Sequence, residues 1–82
     1  MDWENYGFVI ASKIRRSIIV SLKKRPMMPS ELADELGIDK SQITRVLKEL
    51  QNKGLIYCLT PKHRKGRIYS LTENGTKIIK KL

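Results

Sequence analysis

Few residues of this 82-residue chain could perform covalent chemistry. Its one histidine, His63, lies in a highly charged stretch, and its one cysteine, Cys58, lies in an apolar run. Catalysis usually requires a nucleophile beside a base, a pair of carboxylates or a metal ion. Asp34 and Glu35 are neighbours in a helical sequence, so their side chains diverge. The sequence therefore argues against an enzyme, and a single cysteine with a single histidine argues against a metal sensor.

Hydrogen-bonding and cationic side chains are concentrated in the second half of the chain. Residues 1–41 carry a net charge of +1 and residues 42–82 a net charge of +8, which together give the total of +9. Such an uneven field favours a polyanionic partner, either nucleic acid or an anionic membrane surface. No apolar run approaches the roughly 18–20 residues needed to span a bilayer, and the N-terminus lacks the basic start of a signal peptide. We therefore expect a cytoplasmic protein without a membrane segment.

The stretch from Asp39 to Gly54 is predicted to be an amphipathic helix. Its apolar residues follow the i, i+3, i+4, i+7 spacing of one buried face: Ile43, Val46, Leu47 and Leu50. Asp39 is predicted to cap the start of the helix, with Gln42 reaching back in a variant of the capping box, and Gly54 to end it. The opposite face and its flanks carry Ser41, Gln42, Thr44, Arg45, Lys48 and Asn52.

Two further helices are predicted before this one. The apolar spacing indicates a helix from about Ser12 to Lys24, with Ser12 as its cap and Pro26 ending it. A shorter helix follows in PSELADEL, residues 29–36, with Met28 or Ser30 as the capping residue. Gly37 ends this helix and a three-residue link leads to the next one. Two helices joined by a short glycine-containing turn form a helix-turn-helix.

After Gly54 the apolar period changes from 3.6 to 2, which predicts two strands, LIYCL at residues 55–59 and RIYSL at residues 67–71. Cys58 is expected to be a small buried residue of the first strand. The loop between the strands carries positive charge at Lys62, His63, Arg64 and Lys65, with Arg67 adjoining it. A last helix is predicted from Glu73 to Leu82, capped by Thr72 and weakened by Gly75.

The segments PSELADELGIDKSQITRVLKELQNKGLIYCLTP and GRIYSLTENG resemble the winged helix-turn-helix family. They are most similar to small archaeal transcription regulators that are distantly related to the MarR and ArsR groups. The resemblance covers roughly residues 10–82. It implies an α+β, mainly helical domain over residues 1–82, with the helix-turn-helix at about 29–53 and a two-stranded hairpin wing at about 55–71.

The resemblance also implies a sequence-specific regulator that binds double-stranded DNA, with the helix at 40–53 in the major groove and the wing on an adjacent groove. Residues near the start of such a helix contact base edges, which here are Ser41, Gln42, Thr44 and Arg45. Lys48 is expected to contact phosphate. In the wing, Arg64 and Arg67 would follow a narrow minor groove, and Lys62, His63 and Lys65 would add positive charge.

Two other classes of function stay open at this point. One is a winged helix that binds proteins, and the other is an RNA-binding protein, although the basic face lacks the aromatic residues on which single-stranded RNA bases stack. No cofactor is predicted, and the sequence leaves any small-molecule effector unknown. A homodimer is expected, because one helix reads few base pairs. Its interface is assigned to apolar residues near the two ends: Trp3, Tyr6, Phe8, Val9, Ile78, Ile79 and Leu82.

Overall fold

The computed structural model describes residues 3–82, so Met1 and Asp2 lie outside the described residues. The chain is mainly helical with one antiparallel hairpin, which confirms the predicted fold class. Its elements run in the order α1 Trp3–Ile10, α2 Lys13–Lys24, α3 Pro29–Leu36, α4 Lys40–Asn52, β1 Ile56–Cys58, β2 Tyr69–Leu71 and α5 Glu73–Ile79. Within residues 3–82, no helix is long and apolar enough to cross a membrane.

Local signals set the starts of α2 and α5 as predicted. The Ser12 hydroxyl accepts a hydrogen bond from the Arg15 amide at 3.3 Å, which satisfies one of the unpaired donors at the start of α2. The Thr72 hydroxyl does the same for the Gly75 amide at 3.1 Å in α5. However, α5 ends at Ile79, before the predicted end at Leu82.

Helix α3 begins at Pro29 with Met28 as its cap residue, so Met28 rather than Ser30 takes that position. The Glu31 carboxylate compensates for the weak cap, because its Oε1 accepts a hydrogen bond from the Met28 amide at 2.9 Å. Gly37 ends the helix in the left-handed conformation at φ 64°, and the Ile38 amide then bonds back to the Ala33 carbonyl at 3.1 Å.

The predicted reciprocal cap at the start of α4 is wrong. Asp39 occupies the cap position, but its side chain makes no bond to the backbone of the first turn. Its Oδ2 instead accepts a hydrogen bond from the Ser41 hydroxyl at 2.8 Å. The Asp39 carboxylate therefore binds a side-chain hydroxyl and not the backbone amide that was expected. The carbonyl of Asp39 still begins the helix, because it accepts the amides of Gln42 and Ile43 at 3.0 Å.

The two strands are shorter than predicted, and they pair with Ile56 opposite Leu71 and Cys58 opposite Tyr69. A third segment joins this sheet, because Met27 and Tyr69 exchange both backbone hydrogen bonds, at 3.1 and 2.9 Å. The sequence gives no sign of this bridge. It attaches the base of the wing to the residues that immediately precede α3.

The core contains one cluster of buried apolar side chains drawn from every helix, from β1, and from Met27 and Leu55 in the connecting segments. Its members are Val9, Ile18, Ile19, Leu22, Met27, Leu32, Ile43, Val46, Leu47, Leu50, Leu55, Ile56 and Ile78. The predicted buried face of α4 is confirmed by four of these residues. Cys58, which was expected to be buried, is only half-buried because its end of β1 leads out into the wing.

Gly75 has a role in packing that cannot be inferred from its low helix propensity. It is buried where α5 packs against Leu55, and a Cβ there would overlap the Leu55 carbonyl oxygen and lie 3.2 Å from Leu71 Cδ2. The sequence interpretation of Gly75 as a weak point of α5 therefore missed its main role. Glycine allows the α5 backbone to approach the Leu55 carbonyl.

The residues assigned to a dimer interface differ in how far they are buried. Val9 and Ile78 are buried inside the chain, where a second copy could not reach them without opening the core. Tyr6, Phe8 and Ile79 pack partly against that core, whereas Trp3 is 66% exposed and Leu82 is 47% exposed. The homodimer itself stays a prediction.

Candidate nucleic-acid interface

The buried face of α4 fixes which of its side chains meet solvent. With Ile43, Val46, Leu47 and Leu50 in the core, the predicted contact residues Ser41, Thr44, Arg45 and Lys48 are exposed and Gln42 is half-buried. Two of the hydroxyls already donate a hydrogen bond within the chain. Ser41 donates to Asp39, and Thr44 donates to the Lys40 carbonyl at 2.9 Å. Their oxygens remain available as acceptors.

The charge on the exposed face of α4 is positive. Glu49, the one acid of this helix, approaches Arg15 of α2, with 3.5 Å between Oε1 and Nε. Among residues 3–82, neither Arg45 nor Lys48 has an ion-pair partner. Both cations can therefore bind an external anion without first giving up an ion pair inside the protein.

The wing loop is closed by its own hydrogen bonds. The Thr60 hydroxyl accepts the Ile68 amide at 3.0 Å and donates to the Gly66 carbonyl at 3.4 Å, while Gly66 adopts φ 73°. Arg67 donates from Nε to the His63 carbonyl at 2.8 Å. This bond holds the guanidinium of Arg67 at the base of the loop, and its terminal nitrogens remain able to contact a ligand. Residues 61–67 are all exposed.

A groove of about 600 Å³ lies between the start of α3, the start of α4 and the wing. It brings together Thr44, Arg64, Lys65 and Arg67 from the predicted set, and adds Ser30, Lys40 and Tyr69, which were not among the residues predicted to contact DNA. None of the described residues lining it is acidic. Four cations and three hydroxyl groups therefore surround one concave surface, which suits the phosphate groups of a polyanion.

The remaining predicted residues lie outside this groove. They are Ser41, Gln42, Arg45 and Lys48 on α4, and Lys62 and His63 in the wing. Lys40 could have been found from the sequence, because it is a basic residue in the first exposed turn of α4. Ser30 and Tyr69 could not, because only the tertiary fold places them beside the wing.

An acid beside the groove is already paired. Glu31 adjoins Ser30, and the hydrogen bond from the Met28 amide, followed by that from Arg25 at 3.0 Å, holds the pKa of its carboxyl below the ordinary value of 4.5. Glu31 therefore stays ionised at neutral pH, and its charge is directed at Arg25. It opposes an incoming anion less than a free carboxylate would.

Residues 3–82 contain no group of three or more His, Cys, Asp or Glu side chains that could hold a metal ion. Cys58 ends β1 and His63 lies in the exposed wing loop, so the two side chains that a metal would favour are not part of such a group. The arrangement of cations and hydroxyls in the groove is suited to binding an anion.

The family model for the HVO_A0261 N-terminal domain matches residues 3–82. The chain belongs to this family. A comparison with curated proteins finds no match.

Solved structures extend the comparison beyond the HVO_A0261 N-terminal domain. The MarR family transcription regulator SP03579 is 31% identical with a TM-score of 0.76, over 84% of this chain and 47% of its own. ZitR from Lactococcus lactis, solved in complex with DNA, is 26% identical with a TM-score of 0.68, over 77% of this chain and 44% of its own. The transcriptional regulator Tm0710 from Thermotoga maritima, at 24% identity and a TM-score of 0.75, covers 85% of this chain and 50% of its own, and shows the fold alone.

The chain spans about half the length of these structures. The winged-helix fold predicted from the sequence is confirmed by them. The MarR part of the resemblance is supported as well, whereas the archaeal character stays a prediction.

Proposed function

We propose that this chain is a sequence-specific, duplex DNA-binding transcription regulator. The observation that carries the proposal is the groove between the start of α4 and the wing, where Lys40, Arg64, Lys65 and Arg67 converge without an acid among the described lining residues. Two similar proteins support it, since SP03579 is described as a transcription regulator and ZitR was solved with DNA. Cationic grooves of this kind bind the DNA backbone and supply most of the non-specific affinity.

In this proposal α4 enters the major groove and divides its contacts by position. Gln42 and Arg45 lie in the first turns, where side chains reach base edges, and their amide and guanidinium groups suit adenine and guanine respectively. Ser41 and Thr44 offer hydroxyl oxygens to the same bases. Lys48, one turn further along, contacts phosphate.

The wing contacts the neighbouring groove. Arg64 and Arg67 follow the minor groove, whose negative potential attracts guanidinium groups, while Lys62, His63 and Lys65 bind the backbone around it. Lys40 and Ser30 extend the predicted set. Because they line the groove between α4 and the wing, they would bind the phosphates of the strand that passes from one contact to the other.

We also infer that two copies act together on DNA, because a two-fold pair reads two half-sites about one helical turn, or ~10 bp, apart. An operator with inverted half-sites at this spacing is the expected target. The cytoplasmic location stays a prediction.

The test is a gel-shift selection from random duplexes, followed by titration of the selected sequence at several salt concentrations. If about six or more phosphates are contacted, the affinity should fall roughly 10³-fold or more between 50 and 200 mM salt, because bound Lys and Arg release counterions. A duplex RNA of the same sequence serves as the control. The absence of binding to any DNA duplex, flat salt dependence or tighter binding to the RNA would overturn the proposal.

A further inference from the structure

A second groove, of about 700 Å³, lies on α2. Its floor is a stripe of α2 that includes Ser17, Val20 and Ser21, which recur at helical spacing and have small side chains. Ile10 of α1 and Leu36 of α3 form parts of its walls. Together with Lys13 and Lys24, which line the same groove, the stripe gives the floor a surface about three turns long.

Apolar side chains in this groove are unusually exposed. Val20 is 44% exposed and Ile10 is 41% exposed, and Leu82 from the C-terminal end lines the same groove. Trp3 continues this surface, since its ring meets that of Tyr6 edge to face at 5.8 Å and Tyr6 lines the groove. Contiguous exposed apolar groups of this kind mark sites of protein association.

Charged side chains lie around the apolar surface of this groove. Lys13 and Arg16 lie towards the start of α2 and Lys24 lies at its end, while Glu35 contributes the one acid of the described lining. Among residues 3–82, none of these four has an ion-pair partner. These four charged groups are therefore available to form ion pairs with a protein that binds in the groove.

We propose that the α2 groove is the surface through which two copies of this chain pair. A two-fold interface must be self-complementary, so Glu35, the one acid of the described lining, has to meet a cation of the other copy. Leu36, next to Glu35, lines a small hollow that Lys13 and Ser17 also line, so the acid lies beside the first half of α2. Lys24 lies eleven residues beyond Lys13, which is about 16 Å along the helix.

An antiparallel pairing of the two α2 helices gives Glu35 such a cation. It brings the first half of one α2 beside the second half of the other, and so places Glu35 of each copy opposite Lys24 of its partner. A parallel pairing would instead place Lys24 opposite Lys24. In the antiparallel arrangement Val20 lies near the two-fold axis, where an apolar residue contributes most to an interface.

This surface replaces most of the interface predicted from the sequence. Val9 and Ile78 are buried in the core, whereas Ile10, Val20 and Leu36, none of which was predicted, line the α2 groove. It shares no residue with the groove between α4 and the wing. Pairing through α2 therefore leaves the described lining of the DNA-contact groove uncovered on both copies.

Sedimentation equilibrium of the intact chain tests the pairing first. We expect a mass of twice 9.5 kDa at tens of micromolar. Val20→Glu should raise the dissociation constant of the dimer about 100-fold or more, because a charge then replaces an apolar contact twice in a two-fold interface. Ile10→Glu provides a second variant, and circular dichroism verifies that both remain folded. A monomeric wild type, or dimers that survive both changes, would overturn the proposal.

A charge exchange tests the antiparallel arrangement. Glu35→Lys alone sets two lysine side chains against each other at each contact, and Lys24→Glu alone sets two acids together. Each variant should therefore form its homodimer roughly tenfold more weakly. In a mixture of the two variants, the heterodimer has opposite charges at both contacts, because one contact holds the exchanged pair and the other holds the native Glu35 and Lys24. The mixture should therefore pair better than either variant alone. Failure of the mixture to do so would refute the proposed arrangement.

A matched control uses a second exposed pair on α5. Glu73→Lys and Lys77→Glu make the same charge changes as the first two variants, and neither residue lines the α2 groove. Their homodimers should retain wild-type affinity, because exposed ion pairs contribute little. All of these measurements are made without DNA. Failure of the pairing is therefore distinguishable from failure of DNA binding, which the gel shift measures.

Discussion

Replacing Gly75 with alanine should destabilise the protein, although helix propensity predicts the reverse. At a solvent-exposed position inside a helix, the change from glycine to alanine would add about 1 kcal/mol to the free energy of unfolding. Here the new Cβ would overlap the Leu55 carbonyl oxygen. That carbonyl also accepts the Thr72 amide at 3.0 Å, so moving α5 outward to relieve the overlap would stretch this bond.

The expected net effect follows from these opposing contributions. Overpacking typically costs about 1–3 kcal/mol, and a weakened backbone hydrogen bond roughly a further 0.5–1.5 kcal/mol. Together they exceed the gain in propensity, so the free energy of unfolding should fall by about 1–3 kcal/mol. For a domain of this size that loss lowers Tm by about 4 °C or more. Urea and thermal unfolding, followed by circular dichroism, would measure both quantities.

Gly7 provides the matched control, because it also lies within a helix but a Cβ there would meet nothing within 4 Å. Gly7→Ala should therefore raise the free energy of unfolding by up to about 1 kcal/mol. The two substitutions are chemically identical, so their opposite signs isolate the effect of the Leu55 carbonyl. A Gly75→Ala protein as stable as the wild type would refute the close-packing explanation.

Two further predictions concern recognition and pH. Arg45→Ala and Gln42→Ala should relax preference at particular base pairs by roughly 1–3 kcal/mol each, whereas Lys62→Ala and Lys65→Ala should weaken all duplexes alike and reduce the salt slope. A uniform loss on Arg45→Ala in a binding-site selection would contradict its role in base reading. Because the folded pKa of Glu31 is lowered, its carboxylate stabilises the protein above pH 4.5, and this contribution is lost as the pH falls through the lowered pKa. Urea unfolding should therefore find Glu31→Gln less stable than the wild type at pH 7 but equally stable in acid, and a difference independent of pH would contradict this explanation.

The sequence was most informative where a structural feature depends on residues close together in the chain. Ser12, Pro29 and Gly37 act on backbone groups within a few positions, and each lies at the helix end where it was predicted. The buried face of α4 was also predictable, because its apolar spacing determines how the helix turns towards the core. That face in turn identified the exposed residues of the candidate interface.

Features that depend on distant residues could not be predicted in the same way. The need for glycine at residue 75 comes from a carbonyl twenty residues earlier, and the bridge at Met27 involves a single residue without any periodic pattern. Asp39 illustrates a different limit. Its position at the start of α4 was correct, but a carboxylate can bind either an amide or a nearby hydroxyl, and the type of residue does not decide between them.

The hydrogen-bonded bridge between Met27 and Tyr69 bears on how this protein could change its target during evolution. It joins the segment before α3 to the base of the wing through backbone atoms alone. The spacing between the wing and the helix-turn-helix therefore does not depend on the exposed side chains of α4. If α4 reads bases as proposed, substitutions at Gln42 or Arg45 alter which bases are preferred, while the framework that sets the spacing of the proposed DNA contacts stays constant. New binding preferences would then be accessible through single mutations, without a compensating change in the rest of the fold.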